Sequence, residues 1–286
     1  MIRRPQIALL PDGRRLHLQD GPIDLIVQAF GQPDECERAY RQAADRFATV
    51  LEELVAELPP LRSELSPDFK FRGPVARRMA QAVAPHTQSF VTPMAAVAGG
   101  VADEILAALV AGRTLERAYV NNGGDSAIFL TPGAEMRLGI ASADSGFGDR
   151  IVIDAASPVR GVATSGWRGR SFSFGIADAV TVLACSAAEA DVAATLIANA
   201  VDLPGHPAVR RRSARELQPD TDLGERAVTV AVGLLTEAET REALANGRAV
   251  AEDFRRRGLI HAAALALNGK KLICSEEQRQ LVGEHA

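Results

Sequence analysis

The sequence is poor in lysine, cysteine and aromatic residues, and it has no long apolar run at its start. Only three of its 32 basic residues are lysines: Lys70, Lys270 and Lys271. None has the glycine spacing before it and the Ser or Thr after it of a phosphate-binding P-loop, which removes that class of nucleotide site. The three cysteines, Cys36, Cys185 and Cys274, form no CxxC pair. A zinc knuckle or disulfide framework is therefore not expected, and a reducing cytoplasm is the expected compartment. Met1-Ile2-Arg3-Arg4 carries charge, but Ile7–Leu10 is cut off by Pro11-Asp12-Gly13. No signal peptide and no membrane span are expected from that pattern. The five histidines, His17, His86, His206, His261 and His285, show no metal-binding spacing. Neither a Gly-x-Ser-x-Gly elbow nor a Gly-x-Gly-x-x-Gly turn occurs, so hydrolase triads and dinucleotide folds lose support. With a net charge of −4 there is no general basic field for nucleic acid.

What is present is an ordinary globular composition, 47% hydrophobic and 24% charged over 286 residues. A chain of this length buries roughly 75% of its unfolded surface, enough for one large domain over 1–286. If the chain divides into two packed halves, the boundary is expected near 140–160. Short strands separated by Pro-Asp-Gly and Asp-Gly-Pro turns open the sequence. Apolar residues at three- and four-residue steps then predict a helix over 34–58, stopped by Pro59-Pro60. Helices are also expected from Pro74, over 93–111, from Ser186 to about Ala200, and over 237–257. Ser186-Ala187-Ala188-Glu189 has capping-box spacing. Strands are expected over 117–120, 126–130, 135–141, 151–154, 159–163, 179–183 and 227–235. A closing hairpin over 260–274 turns at Asn268-Gly269. The polar, Arg-rich stretch 204–222 reads as loop. The irregular mixture of hairpins and helices predicts an α+β fold with mainly antiparallel sheet.

Three constellations carry possible chemistry. Tyr119-Val120 leads into Asn121-Asn122-Gly123-Gly124-Asp125. Paired glycines permit left-handed backbone and close approach of peptide N–H groups to a ligand. The asparagine amides offer donor and acceptor to a heterocycle edge, and Asp125 can accept from a ribose hydroxyl. The same residues also make an efficient hairpin turn. Asp191 and Thr195 stand at i and i+4 on one helix, so their oxygens share a face, an arrangement suited to Mg²⁺. The alternative is an exposed acid and a threonine bonded to its own helix. Thr164-Ser165-Gly166-Trp167-Arg168-Gly169-Arg170 combines hydroxyls, glycines and arginines that can cradle phosphate, or form a surface loop. Asp178 enters an apolar strand, where an acid is costly unless paired or metal-bound. The small residues over 95–102 let another backbone, a ligand or a second subunit approach closely.

Val97-Ala98-Gly99-Gly100-Val101-Ala102-Asp103, Val120-Asn121-Asn122-Gly123-Gly124-Asp125, Thr164-Ser165-Gly166 and Ala190-Asp191-Val192-Ala193-Ala194-Thr195 occur in that order. In this the chain resembles the ApbE-like superfamily, relatives of the FAD-using, Mg²⁺-dependent FMN transferase, and looks like an uncharacterised cytoplasmic branch of it. The resemblance implies a T-fold-related α+β architecture. It also implies FAD, or a related flavin or pterin nucleotide, as cofactor, with Mg²⁺. Asn121, Asn122, Gly123, Gly124 and Asp125 would line the nucleotide site, and Thr164, Ser165 and Gly166 would lie near its phosphates. Asp191 and Thr195, with the Ala98 carbonyl, would hold the metal, and Asp178 would serve as base. An acceptor protein would take the FMN on a threonine while AMP leaves. The family's Ile-Ala-Lys-Gly reads Val97-Ala98-Gly99-Gly100 here, and Ser173–Asp178 stands where the family has His-Ile-Ile-Asp-Pro. A non-catalytic flavin or pterin binder, or an oligomeric scaffold, is the alternative reading.

Overall fold

The computed structural model describes residues 5–66, 68–142 and 146–275. His285 and the charged start Met1-Ile2-Arg3-Arg4 lie outside the described residues. The elements, in chain order, are β1 (Gln6–Leu9), β2 (Leu16–Asp20), β3 (Ile23–Gly31), α1 (Pro33–Ala56), α2 (Leu58–Leu61) and α3 (Pro74–Val83). They continue with α4 (Val97–Val110), β4 (Leu115–Asn122), β5 (Asp125–Leu130), β6 (Glu135–Ser142), β7 (Gly146–Asp154), β8 (Gly161–Ser165) and β9 (Ala179–Ala184). The last are α5 (Ala187–Ala200), β10 (Val209–Ser213), α6 (Ala214–Leu217), β11 (Ala227–Val232), α7 (Glu237–Arg256), β12 (Ala262–Leu267) and β13 (Lys270–Cys274).

The chain gathers into two compact units. One comprises Met1–Met136, Ile153–Val162 and Cys185–Glu189; the other comprises Arg137–Val152, Ala163–Ala184 and Ala190–Ala286. In the first, hydrogen bonding runs in the order β1-β2-β3-β4-β5-β8. Each of these neighbours pairs antiparallel, beginning with hairpins that follow the glycine-containing turns. Alternation in β3 places Ile23, Leu25, Val27 and Ala29 on the buried face. That face is covered by helices: α1 packs on β3, and α4 packs on β4 and β5. The apolar stripe of α1 (Ala39, Ala43, Phe47, Val50 and Leu54) recurs at the helical period, and Phe47 is completely buried. Arg46 on α1 and Arg78 on α3 both donate to Glu104 on α4, each at 2.9 Å, which ties the three helices together.

The second unit pairs β9 with β12 and β12 with β13, again antiparallel. Asn268 (φ 49°) and Gly269 (φ 73°) form the two-residue turn the sequence predicts between β12 and β13. Helix α7 packs on β12 and β13. It starts with a full capping box in which Thr236 accepts from the Glu239 N–H and the Glu239 carboxylate accepts from the Thr236 N–H. One expectation is corrected here. The stretch 204–222 is not all loop, because β10 and α6 lie inside it. The arginine-rich β10 pairs antiparallel with β11 as a two-stranded ribbon. A half-exposed ribbon needs no continuous apolar face, so the usual strand signal is absent. Antiparallel sheet with packed helices makes the whole an α+β fold, as the hairpin-rich order predicts.

The segment Pro93–Val110 is long and apolar enough by composition to cross a membrane, but 56% of it is buried inside the structure. It begins as a 3-10 turn, Pro93–Ala96, and continues as α4, a core helix of the first unit. Its glycines have a packing cause. A Cβ on Gly99 would lie 2.2 Å from the Ala187 carbonyl oxygen, and one on Gly100 would lie 3.1 Å from Met79. Gly161 on β8 is as tight: its Cβ would lie 2.0 Å from the Ser186 carbonyl. Gly161→Ala should therefore lower stability in urea denaturation by about 3 kcal/mol. Gly112→Ala, at an open position with φ 66°, should cost only about 1 kcal/mol. Equal losses for the two variants would refute the packing explanation.

Candidate functional site

The Asn121–Asp125 segment is a hairpin, not a long loop. Asn121 and Asn122 end β4 and Asp125 begins β5, with Asn122 opposite Asp125. Only Gly123 (φ 67°) and Gly124 (φ 127°) make the turn, both in backbone regions that L side chains avoid. Their φ values explain the glycine pair without a ligand. The flanking polar residues are buried: Asn122 is 8%, Asp125 7% and Ser126 6% exposed. The Asn121 amide donates to Ser126 Oγ at 2.9 Å, and the Asn122 amide donates to the Ala98 carbonyl at 3.0 Å. The structure thus brings two predicted residues, Ala98 and Asn122, into direct contact.

One turn along α4 from Gly99 lies a residue that carries no expected role, Asp103. Its two carboxylate oxygens accept from consecutive backbone N–H groups at the start of α5, Ala187 at 3.0 Å and Ala188 at 2.9 Å. A helix N-terminus has unsatisfied N–H groups and partial positive charge, so an acid from a neighbouring helix suits it. The capping box expected at Ser186 is present in part: Ser186 Oγ accepts from the Glu189 N–H at 3.2 Å. Burial raises the Asp103 carboxyl from 3.8 to about 6, opposed by the two N–H bonds and by Arg78, while Glu189 adds to the rise. An acid in an apolar, small-residue helix was the available signal, by the same reasoning that singled out Asp178.

In the second unit, α5 carries Asp191 and Thr195. From Ala190 to Ala198 these two are the only residues that are not buried. The helix therefore presents one carboxylate and one hydroxyl, one turn apart, on a single uncovered strip. Among the described residues, no group of three or more His, Cys, Asp or Glu could hold a metal. A divalent cation here would rest on few protein oxygens and take waters or phosphate oxygens for the rest, which is the habit of Mg²⁺. The donor set fits that ion and does not fit zinc.

The end of β8, Thr164-Ser165, with the following Gly166, meets Asp178. A Cβ on Gly166 would lie 2.6 Å from the Asp178 carbonyl, and the Trp167 N–H donates to the Ala177 carbonyl at 3.0 Å. Thr164 and Thr181 share a hydroxyl contact of 2.8 Å. Both oxygens of the Asp178 carboxylate are engaged. Oδ1 accepts from Arg168 Nε at 2.6 Å, and Oδ2 accepts from the Asn268 N–H at 2.7 Å. The Arg168 guanidinium also lies over the Trp167 ring, 4.8 Å from its centroid. Asp178 sits half-buried just ahead of β9 rather than inside it, and its two bonds fix the glycine-framed loop to the β12–β13 turn.

These features define a chain of antiparallel α+β architecture with a polar hairpin, a carboxylate-capped helix and a hard-oxygen pair on that helix. The family model described as AbpE bacteria matches residues 7–273, and the chain belongs to that family. It is 35% identical over 149 residues to a UPF0280 protein of Methanothermobacter thermautotrophicus, covering 51% of this chain and 56% of that one. It is 38% identical over 156 residues to a UPF0280 protein of Methanosphaerula palustris, covering 53% and 63%. The match thus spans less than two thirds of either relative. Among solved structures, the apo flavinyl transferase ApbE of Pseudomonas stutzeri is similar at 12% identity, with 96% of each chain covered and a TM-score of 0.49. The ApbE protein of Thermotoga maritima is similar at 14% identity, with 95% of this chain and 97% of that one covered and a TM-score of 0.41. At those values the likeness assigns no residue a role.

The raised Asp103 value sets a direction for stability. Between about pH 4 and pH 6 the unfolded chain has released this proton and the folded chain keeps it. The resulting stabilisation is full below the unfolded value of 3.8 and is lost as pH rises through about 6. Relative to Asp103→Asn, the wild type should therefore gain up to about 3 kcal/mol between pH 7 and pH 4. Urea denaturation at the two pH values measures it; a pH-independent difference would show that Asp103 titrates normally.

Proposed function

We propose that this protein binds FAD or a related flavin nucleotide together with Mg²⁺, and that it is a diverged member of the flavin-transferring class. The observation that carries the reading is the α5 strip, where an otherwise buried helix exposes only Asp191 and Thr195 between Ala190 and Ala198. Membership of the AbpE family supports it. Asp191 and Thr195 would hold the cation. Bound Mg²⁺ would supply charge neutralisation on a pyrophosphate.

The chain's own residues would do the rest. The β4–β5 hairpin offers the Asn121 and Asn122 amides and the Asp125 carboxylate to ring and ribose. Thr164, Ser165 and Gly166 would face phosphate oxygens, with Arg168 held nearby by Asp178. In transfer, the acceptor hydroxyl oxygen bonds to the FMN phosphorus, the pyrophosphate P–O bond breaks, AMP leaves with the electron pair, and the hydroxyl proton passes to a base. Asp178 is the proposed base, and it must first release Arg168 or Asn268. That engagement, with Gly99 in place of the family lysine and no histidine over 173–178, favours a second reading: a binder that does not catalyse. A cytoplasmic location, a protein acceptor and self-association remain parts of the proposal.

Thermal unfolding tests binding. FAD with Mg²⁺ at a hundredfold excess over Kd should stabilise the wild type by about 2.7 kcal/mol. Asp191→Ala should lose the Mg²⁺-dependent part. No shift with FAD, FMN or ATP, with or without Mg²⁺, would refute the reading. Release of AMP from FAD in the presence of threonine-containing peptides separates transferase from binder.

A further inference from the structure

Strand β1 is the edge of the sheet in the first unit, and it lacks the guards that edge strands carry. Its sequence, Gln6-Ile7-Ala8-Leu9, holds no charge and no proline, and its ladder with β2 has no bulge. All four residues are exposed, Ile7 at 48% and Leu9 at 58%. Ile7 stands opposite Leu18 and Leu9 opposite Leu16, so both belong to the sheet face on which Leu16 and Leu18 are buried. Helix α1 covers that face over β2 and β3 and leaves the two apolar residues of β1 in water. The edge strand of the second unit, β13, is guarded: exposed Lys270 and Lys271 open it.

The backbone of β1 adds a second property. The Leu10 N–H donates to the Arg15 carbonyl at 2.8 Å. Hydrogen-bonded pairs alternate along an antiparallel ladder, so Ala8 and Gln6 also direct their N–H and C=O groups to β2. Those of Ile7 and Leu9 point away from it, and among the described residues no group bonds to them. The outward donors and acceptors therefore belong to the same two residues whose side chains are bare. This set is its own complement. A second β1 laid antiparallel about Ala8 puts Ile7 opposite Leu9 of the other copy, and Leu9 opposite its Ile7. Both pairs are hydrogen-bonded pairs, and both apolar contacts fall on one face.

We infer that β1 is a homodimer contact, which joins two copies of this chain by antiparallel pairing of their edge strands. A second copy is the occupant the structure favours. A two-fold axis at Ala8 matches residue, spacing and face at once, and the edge offers no charge to select an acidic or basic partner. The contact closes on two copies, because one partner uses up β1 and the lysines of β13 oppose extension there. Four residues a side make a small contact, so the dimer is reversible. This gives the self-association named above a surface and a register. It does not depend on flavin or Mg²⁺, so the test is run without either, and its failure leaves that reading standing.

Sedimentation velocity of the protein from about 1 μM to about 1 mM reads the association. Wild type should pass from monomer to dimer over that range. Ile7→Lys sets an ammonium against Leu9 of the other copy and should weaken the dimer at least about tenfold. Ile273→Lys, at an apolar residue of β13 that is 41% exposed, should dimerise like wild type. Disulfide trapping with oxidised glutathione reads the register, in a Cys185→Ser background that removes the exposed native thiol. Ala8→Cys faces its own copy across the axis and should give a covalent dimer. Gln6→Cys faces Leu10 of the other copy and should not. A monomer at every concentration, a dimer unchanged by Ile7→Lys or a dimer lost with Ile273→Lys overturns the inference. So does equal trapping of Ala8→Cys and Gln6→Cys. Should Ile7→Lys fail to fold, the trapping comparison alone decides.

Discussion

A half-buried carboxylate, Asp103, meeting the N-terminus of α5 is the constraint on which the packing around that turn depends. The helix starts with free N–H groups in a place where water does not reach them. An acid from α4 satisfies two at once. The closeness this requires explains the small residues around it: Gly99 lets α4 approach Ala187, and Gly161 lets β8 pass beneath Ser186. The stripe that suggests a ligand or a subunit contact in the sequence is used instead for packing within the first unit. The two explanations make the same composition, and only the geometry of the neighbouring turn separates them.

What the sequence made legible follows the strength of its periodic signals. Helix α1 is visible because its apolar residues recur over 24 residues. The β12–β13 hairpin is visible because Asn268-Gly269 has a turn mechanism of its own. Strand β10 was hidden because three successive arginines mask any alternation, and its pairing with β11 depends on a distant segment. The capping box at Thr236 was equally hidden, since many Thr-x-x-Glu runs cap nothing. Asp103 was missed for a deeper reason. The acid itself stands out in an apolar, small-residue helix, but the N–H groups that make it tolerable lie 84 residues away in sequence.

The candidate site divides in the same way. The face shared by Asp191 and Thr195 follows from helix geometry alone and is found in the structure. The hairpin residues Asn121 and Asn122 proved to be strand ends with their own hydrogen bonds, which limits how much of each amide a ligand can claim. Asp178 is half-buried and paired with Arg168 and Asn268, and that pairing is what makes its proposed service as a base conditional.

The most direct measurement is anomalous diffraction from crystals of the protein grown with FAD and Mn²⁺. The account predicts a manganese peak within coordination distance of the Asp191 carboxylate and the Thr195 hydroxyl, with Asp103 still holding the Ala187 and Ala188 N–H groups. A peak elsewhere, or flavin density with no metal on α5, would contradict it.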